Sequence, residues 1–108
     1  MNPELKEKWV KALRSGEYEQ GRSMLRNGDS YCCLGVLCDV GKLGEWDLFD
    51  GAADFVCDFG WTQTPDVLPT SVLDAIGMTV EQQDICWRMN DEDKKSFPEI
   101  ADYIEQNL

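Results

Sequence analysis

Polar positions almost vanish from the chain between residues 31 and 41. Tyr31-Cys32-Cys33-Leu34-Gly35-Val36-Leu37-Cys38-Asp39 is its most apolar run, holds three of its five cysteines, and stops at Val40-Gly41. Cys33, Leu34, Leu37 and Cys38 follow helical spacing, with Val36 and Val40 on the flanks. The run therefore predicts a buried helix, although a buried strand of ordinary length would hold the same residues. Gly41-Lys42-Leu43-Gly44 offers it a C-terminal exit. Gly35 costs about 1 kcal/mol against alanine inside a helix, which predicts a second backbone in close approach at that point.

Helical rhythm also marks both ends of the chain. Asn2-Pro3-Glu4 reads as a helix start, with Leu5, Trp9, Ala12 and Leu13 on one face, Lys6, Lys8, Lys11 and Arg14 on the other, and Ser15-Gly16 as the end. Glu17 to Leu25 can alternate as a short strand, and Asn27-Gly28 is a strong hairpin signal leading into Ser30-Tyr31. Pro69 opens a short helix through Val72, Leu73 and Ile76 that Gly77 closes. Thr79-Val80-Glu81-Gln82 and Ser96-Phe97-Pro98-Glu99 are capping boxes for two more helices.

From Gly44 to Leu68 the rhythm loosens. Asp47, Asp50, Asp54 and Asp58 stand three, four and four residues apart, which on a helix would line up four carboxylates. Such a face repels itself, and Gly51 interrupts it. The expectation is a loop through Gly51-Ala52-Ala53, a strand from Asp54 to Gly60 with Phe55, Cys57 and Phe59 on one face, and a turn-rich link around Pro65. The fold class expected for residues 1–108 is α+β: one α-rich domain with a buried central helix, flanking helices and a small antiparallel sheet or hairpin.

Charge adds the next constraint. The formal balance is −11 over 108 residues. Residues 1–26 carry +2, residues 27–87 carry −10 with Lys42 as their one base, and residues 88–108 carry −3. A centre this acidic repels phosphate backbones and anionic membranes, so neither nucleic acid nor membrane is an expected partner. No apolar run approaches the roughly 18 residues that span a bilayer. The N-terminus has no basic segment followed by an apolar one, which favours a cytoplasmic location. Histidine is absent, which removes the commonest general base and any histidine-paired nucleophile.

Candidate chemistry is correspondingly narrow. Cys32, Cys33, Cys38, Cys57 and Cys86 lack the paired two-residue spacing of zinc sites, and cysteine is among the most buried residue types, so reduced, buried thiols are expected. Asp47, Asp50, Asp54 and Asp58 match no EF-hand pattern, and no cofactor or metal is expected. Two binding readings remain beside a solvated acidic surface. The four aspartates can imitate phosphates and occupy a protein's basic groove. Alternatively, Trp46 and Trp61 with Arg22 or Arg26 can stack on a nucleotide-like small molecule. A carboxylate enzyme with a divalent ion ranks third.

Trp9-Val10-Lys11-Ala12-Leu13-Arg14-Ser15-Gly16, Gln20-Gly21, the Tyr31–Asp39 run, Leu68-Pro69 with Ala75-Ile76-Gly77, and Met89-Asn90-Asp91 with Phe97-Pro98-Glu99-Ile100-Ala101 together resemble a family of small proteins encoded by tailed bacteriophages. The Cys-Cys-Leu-Gly-Val-Leu-Cys block is the most specific part of that resemblance. It implies a setting, phage infection of a bacterium, and brings no catalytic residues. By analogy of setting, the expected role is a non-enzymatic accessory protein in the host cytoplasm. It would bind, and inhibit or redirect, a host macromolecule with a basic surface, defence systems included.

Overall fold

A computed structural model describes residues 1–22, 24–27, 29–43, 45–49, 52–57, 60–61, 67–68 and 70–108, with 45–61 described through the backbone of its strands. The chain forms helix α1 (Pro3–Ser15), strands β1 (Glu19–Gln20), β2 (Arg26–Asn27) and β3 (Ser30–Tyr31), and helix α2 (Cys33–Gly41). Strands β4 (Glu45–Phe49), β5 (Ala52–Cys57) and β6 (Gly60–Trp61) follow, then helices α3 (Thr70–Ile76), α4 (Val80–Asp91) and α5 (Phe97–Asn107). This is an α-rich α+β domain with its apolar run as the central helix.

Helix α2 is buried from Cys33 through Cys38. Trp9 of α1 is fully buried and its indole Nε1 donates to the Cys33 carbonyl at 2.8 Å, so packing and a hydrogen bond fix α1 over α2 together. Leu73, Ile100 and Ile104 from the C-terminal helices complete the core. The starts of α1, α4 and α5 use the chemistry expected of them. Asn2 Oδ1 accepts from the backbone N–H groups of Glu4 and Leu5, and Thr79 and Ser96 both form complete capping boxes.

Gly35 is where a second backbone comes in. A methyl group there would lie 1.8 Å from the Leu25 carbonyl oxygen, and that same oxygen accepts from Cys32 N at 3.1 Å. The segment before β2 is therefore clamped onto the first turn of α2. The exit of α2 differs from expectation by one residue. Lys42, at φ 50°, takes the left-handed position, while Gly41 is the last helical residue and packs so closely on α1 that a methyl group there would lie 2.8 Å from Leu5 Cδ1.

The sheet runs in the order β1-β3-β2-β5-β4, with β6 also pairing β5. β2 and β3 pair as an antiparallel hairpin, but its leading strand is Arg26–Asn27, with Asn27 opposite Ser30, and not the stretch from Glu17 to Leu25, whose Glu19–Gln20 joins β3 in parallel as β1 and makes the sheet mixed. The loop expected through Gly51-Ala52-Ala53 needs correction. Ala52 and Ala53 open β5, and Glu45–Phe49 forms β4 against it, in register from Glu45↔Val56 to Phe49↔Ala52. Pairing across the ribbon, with alternation from Glu45 to Leu48, makes strands of a stretch whose glycine suggested a loop. The two residues between the strands are Asp50 and Gly51, a hairpin dipeptide by sequence, and both lie outside the described residues. Pro65, Pro69, Asp58 and Phe59 also lie outside them.

Candidate functional site

The register of β4, β5 and β6 sorts the acidic segment into two faces, because successive strand residues alternate. Glu45↔Val56, Asp47↔Asp54, Phe49↔Ala52 and Val56↔Trp61 share one face. Trp46↔Phe55, Leu48↔Ala53 and Cys57↔Gly60 share the other. All three described carboxylate positions thus fall on the first face, and the second is apolar throughout. The pair Asn27↔Ala52 carries this parity into the rest of the sheet. Exposed Asn27 belongs to the acidic face, and Arg26 and Tyr31 belong to the face of Trp46, Leu48 and Phe55.

Asp47 and Asp54 are direct cross-strand partners, where facing Cβ positions lie about 5 Å apart and like charges destabilise the ladder. The aspartates picked out by sequence are therefore brought together in part, by strand pairing rather than along a helix. Asp50 and Asp58 lie outside the described residues. Trp46 and Trp61 fall on opposite faces, so the ribbon does not set them side by side. Arg22 Nε donates to the Asn90 carbonyl at 3.1 Å, and the Arg26 guanidinium lies 5.1 Å from the centre of the Tyr31 ring.

A second cluster joins the two ends of the apolar signature. Arg26 and Tyr31 face each other across the β2–β3 hairpin, which accounts for their stacking. Tyr18 meets Tyr31 edge to face at 5.0 Å and donates its hydroxyl to Asp39 Oδ2 of α2 at 2.5 Å. Burial first, and the bond to Asp39 second, raise the Tyr18 pKa well above the ordinary phenol value. Burial also raises that of Tyr31, against the opposing charge of Arg26. At neutral pH Tyr18 is accordingly a hydrogen-bond donor and not a base, and it satisfies one oxygen of Asp39. Sequence reasoning picked out only Arg26 of this group. The available signal was that Tyr31 and Asp39 are the two polar ends of the apolar run.

Asn90 is a third focus and is 1% exposed. Its Oδ1 accepts from Gln20 Nε2 at 2.9 Å and from Cys33 N at 3.3 Å, and its Nδ2 donates to Gly21 O at 2.9 Å and Asp91 Oδ1 at 2.7 Å. Every donor and acceptor site of this amide is occupied. It ties the β1 segment to the ends of α2 and α4.

The thiols sit inside this framework. Cys32, Cys33, Cys38 and Cys86 are buried. Cys32 Sγ accepts from Gly35 N, and Cys33 Sγ donates to the Cys86 carbonyl, both at 3.4 Å. Burial pushes the Cys33 thiol well up and that of Cys86 up to about 12. Among the described residues, no group of three or more His, Cys, Asp or Glu is placed to hold a metal ion. A raised thiol pKa favours the protonated form in the folded chain, while the unfolded chain ionises near pH 9. Stability should therefore hold up to about pH 8 and fall as the pH rises from there towards 12, by up to about 1.4 kcal/mol per pH unit per thiol. Urea melts at neutral and alkaline pH check this, and Cys86→Ala should remove one thiol's share of the slope.

A groove of about 680 Å³ runs along α1 between Lys6, Lys11 and Arg14, remote in sequence from the acidic strands. Arg14 is already held by Asp102 at 2.6 Å and Glu105 at 2.5 Å, and these hydrogen bonds raise its pKa. Lys6 Nζ donates to the Glu105 carbonyl at 3.1 Å. With two of its three cations committed, the groove is a poor anion site.

A family model described as a domain of unknown function, DUF8296, matches residues 1–108. The chain belongs to the DUF8296 family. No curated protein and no solved structure matches it significantly. In this DUF8296 chain no helix among the described residues is long and apolar enough to cross a membrane. By register, its three described carboxylate positions in β4 and β5 share one face of the ribbon.

Proposed function

We propose that this chain is a non-enzymatic accessory protein of a tailed bacteriophage. It acts in the host cytoplasm, where its acidic strand face occupies a basic surface on a host macromolecule, a defence component being one such target, and inhibits or redirects it. The observation that carries this reading is the direct pairing of Asp47 with Asp54, with Glu45 on the same face. Placing like charges opposite one another weakens a two-stranded ribbon, and a basic partner would turn that cost into binding energy. The −10 balance of residues 27–87 supplies long-range attraction to such a partner. Trp46 and Trp61 lie on opposite faces, and Arg22 and Arg26 have partners within the chain, so the nucleotide clamp receives no comparable support.

The test is affinity capture from infected host cells at low and high ionic strength, using the wild-type chain and the Asp47→Asn/Asp54→Asn double variant. A basic host protein should be retained by the wild type at low salt, released at high salt, and missed by the variant. Screening acts over about 10 Å at 0.1 M salt, so retention in molar salt would rule out charge imitation. Equal capture by the variant would remove these two aspartates from the contact.

A further inference from the structure

We propose that β4 is a docking edge, and that the partner binds by adding an extended segment to it as a further strand. The segment would alternate Lys or Arg with apolar residues. This deepens the acidic-face reading and rests on it.

Three observations converge. First, among the described residues β4 pairs only with β5 and stands at the end of the order β1-β3-β2-β5-β4, whereas β5 pairs with β2, β4 and β6. An edge strand has a row of backbone donors and acceptors open to another chain. Second, β4 alternates from Glu45 to Leu48, and Phe49 closes it on the face of Glu45 and Asp47. Glu45 and Asp47 lie on the acidic face, and Trp46 and Leu48 lie on the apolar one. An added strand continues both faces, so its own residues must alternate to match, basic beside Glu45 and Asp47 and apolar beside Trp46 and Leu48. Third, charge selects the occupant. Lys42 is the single base between residues 27 and 87, so the ribbon's own sequence cannot neutralise its carboxylates. A second copy is a poor occupant, because antiparallel pairing of two β4 strands centred on Asp47 would set Asp47 against Asp47. Acidic residues on an edge guard against such self-association while leaving it open to a strand of opposite charge.

The probe is a fluorescent peptide of roughly seven residues alternating Lys and Val, long enough to cover one strand. It is compared with two versions N-methylated on alternate residues, so that each loses its backbone donors along one edge but keeps all its charges. The parent peptide should bind in low salt. One methylated version should bind about tenfold more weakly or worse, and the other should bind like the parent, because strand addition uses one peptide edge only. Asp47→Lys should abolish binding of the Lys peptide and confer binding of a Glu-Val counterpart. Equal, salt-sensitive binding of all three Lys peptides would overturn strand addition while leaving the acidic surface standing. No binding of any peptide in low salt would overturn both. Unchanged binding to the Asp47→Lys protein would remove β4 as the site.

Discussion

Gly35→Ala should abolish stable folding or lower stability by several kcal/mol, in spite of alanine's better helix propensity. By propensity alone the change gains about 1 kcal/mol. The added carbon would, however, lie 1.8 Å from the Leu25 carbonyl oxygen and 2.7 Å from the Leu25 carbonyl carbon. Those are backbone atoms, so no rotamer change relieves the overlap. The Leu25 segment must withdraw, which breaks the bond from Cys32 N to Leu25 O and lifts fully buried Leu25 from the core. Overpacking typically costs about 1–3 kcal/mol where side chains can yield, and more is expected where they cannot. Gly16→Ala is the informative control. Gly16 has φ +77° with open space around it, so its cost is strain of about 1 kcal/mol. Denaturant melts of the two variants should rank Gly35→Ala far below Gly16→Ala. The reverse order would mean that the β2 segment is not clamped to α2.

Asn90→Ala should cost roughly 3–5 kcal/mol, because it removes four hydrogen bonds at once from a nearly fully buried site. The buried Cys33 N–H would lose its acceptor and the Gly21 carbonyl its donor. Asn90→Asp separates this network from simple loss of volume. The aspartate keeps the acceptor towards Gln20 and Cys33 but sets an oxygen against the Gly21 carbonyl and the Asp91 carboxylate. It should be at least as damaging as alanine at neutral pH, and it should recover part of the loss in acid as the carboxyl protonates. Melts at two pH values check both expectations. An alanine variant within about 1 kcal/mol of wild type would show that the β1 segment does not depend on this amide.

The legible and illegible parts of the fold divide by the range of the interaction. The α1 start at Asn2, the two capping boxes at Thr79 and Ser96 and the buried run of α2 all rest on contacts within a few residues, and each was readable in sequence, whereas the hairpin before α2 was readable only as a hairpin, its leading strand being Arg26–Asn27. Gly35 was legible as a close approach, but not as the seat of the Leu25 carbonyl. Strand β4 was missed because Gly51 and the loosened rhythm from Gly44 onward read as a loop. The Asp50-Gly51 dipeptide between two alternating segments was the better guide. The Tyr18–Asp39 bond and the Asn90 network were invisible, since their partners stand 21 to 70 residues apart except for adjacent Asp91.

The amino-acid order alone determined where helices start, which stretch is buried and how charge is portioned along the chain, because each follows from nearest neighbours and composition. Tertiary structure alone decided which carboxylates share a face. In a strand that choice depends on register, and a slip of one residue moves every side chain to the opposite side. The pairing of Asp47 with Asp54, and the parity that groups them with exposed Asn27, are set by the hydrogen bonds that join β4, β5 and β2 across the sheet.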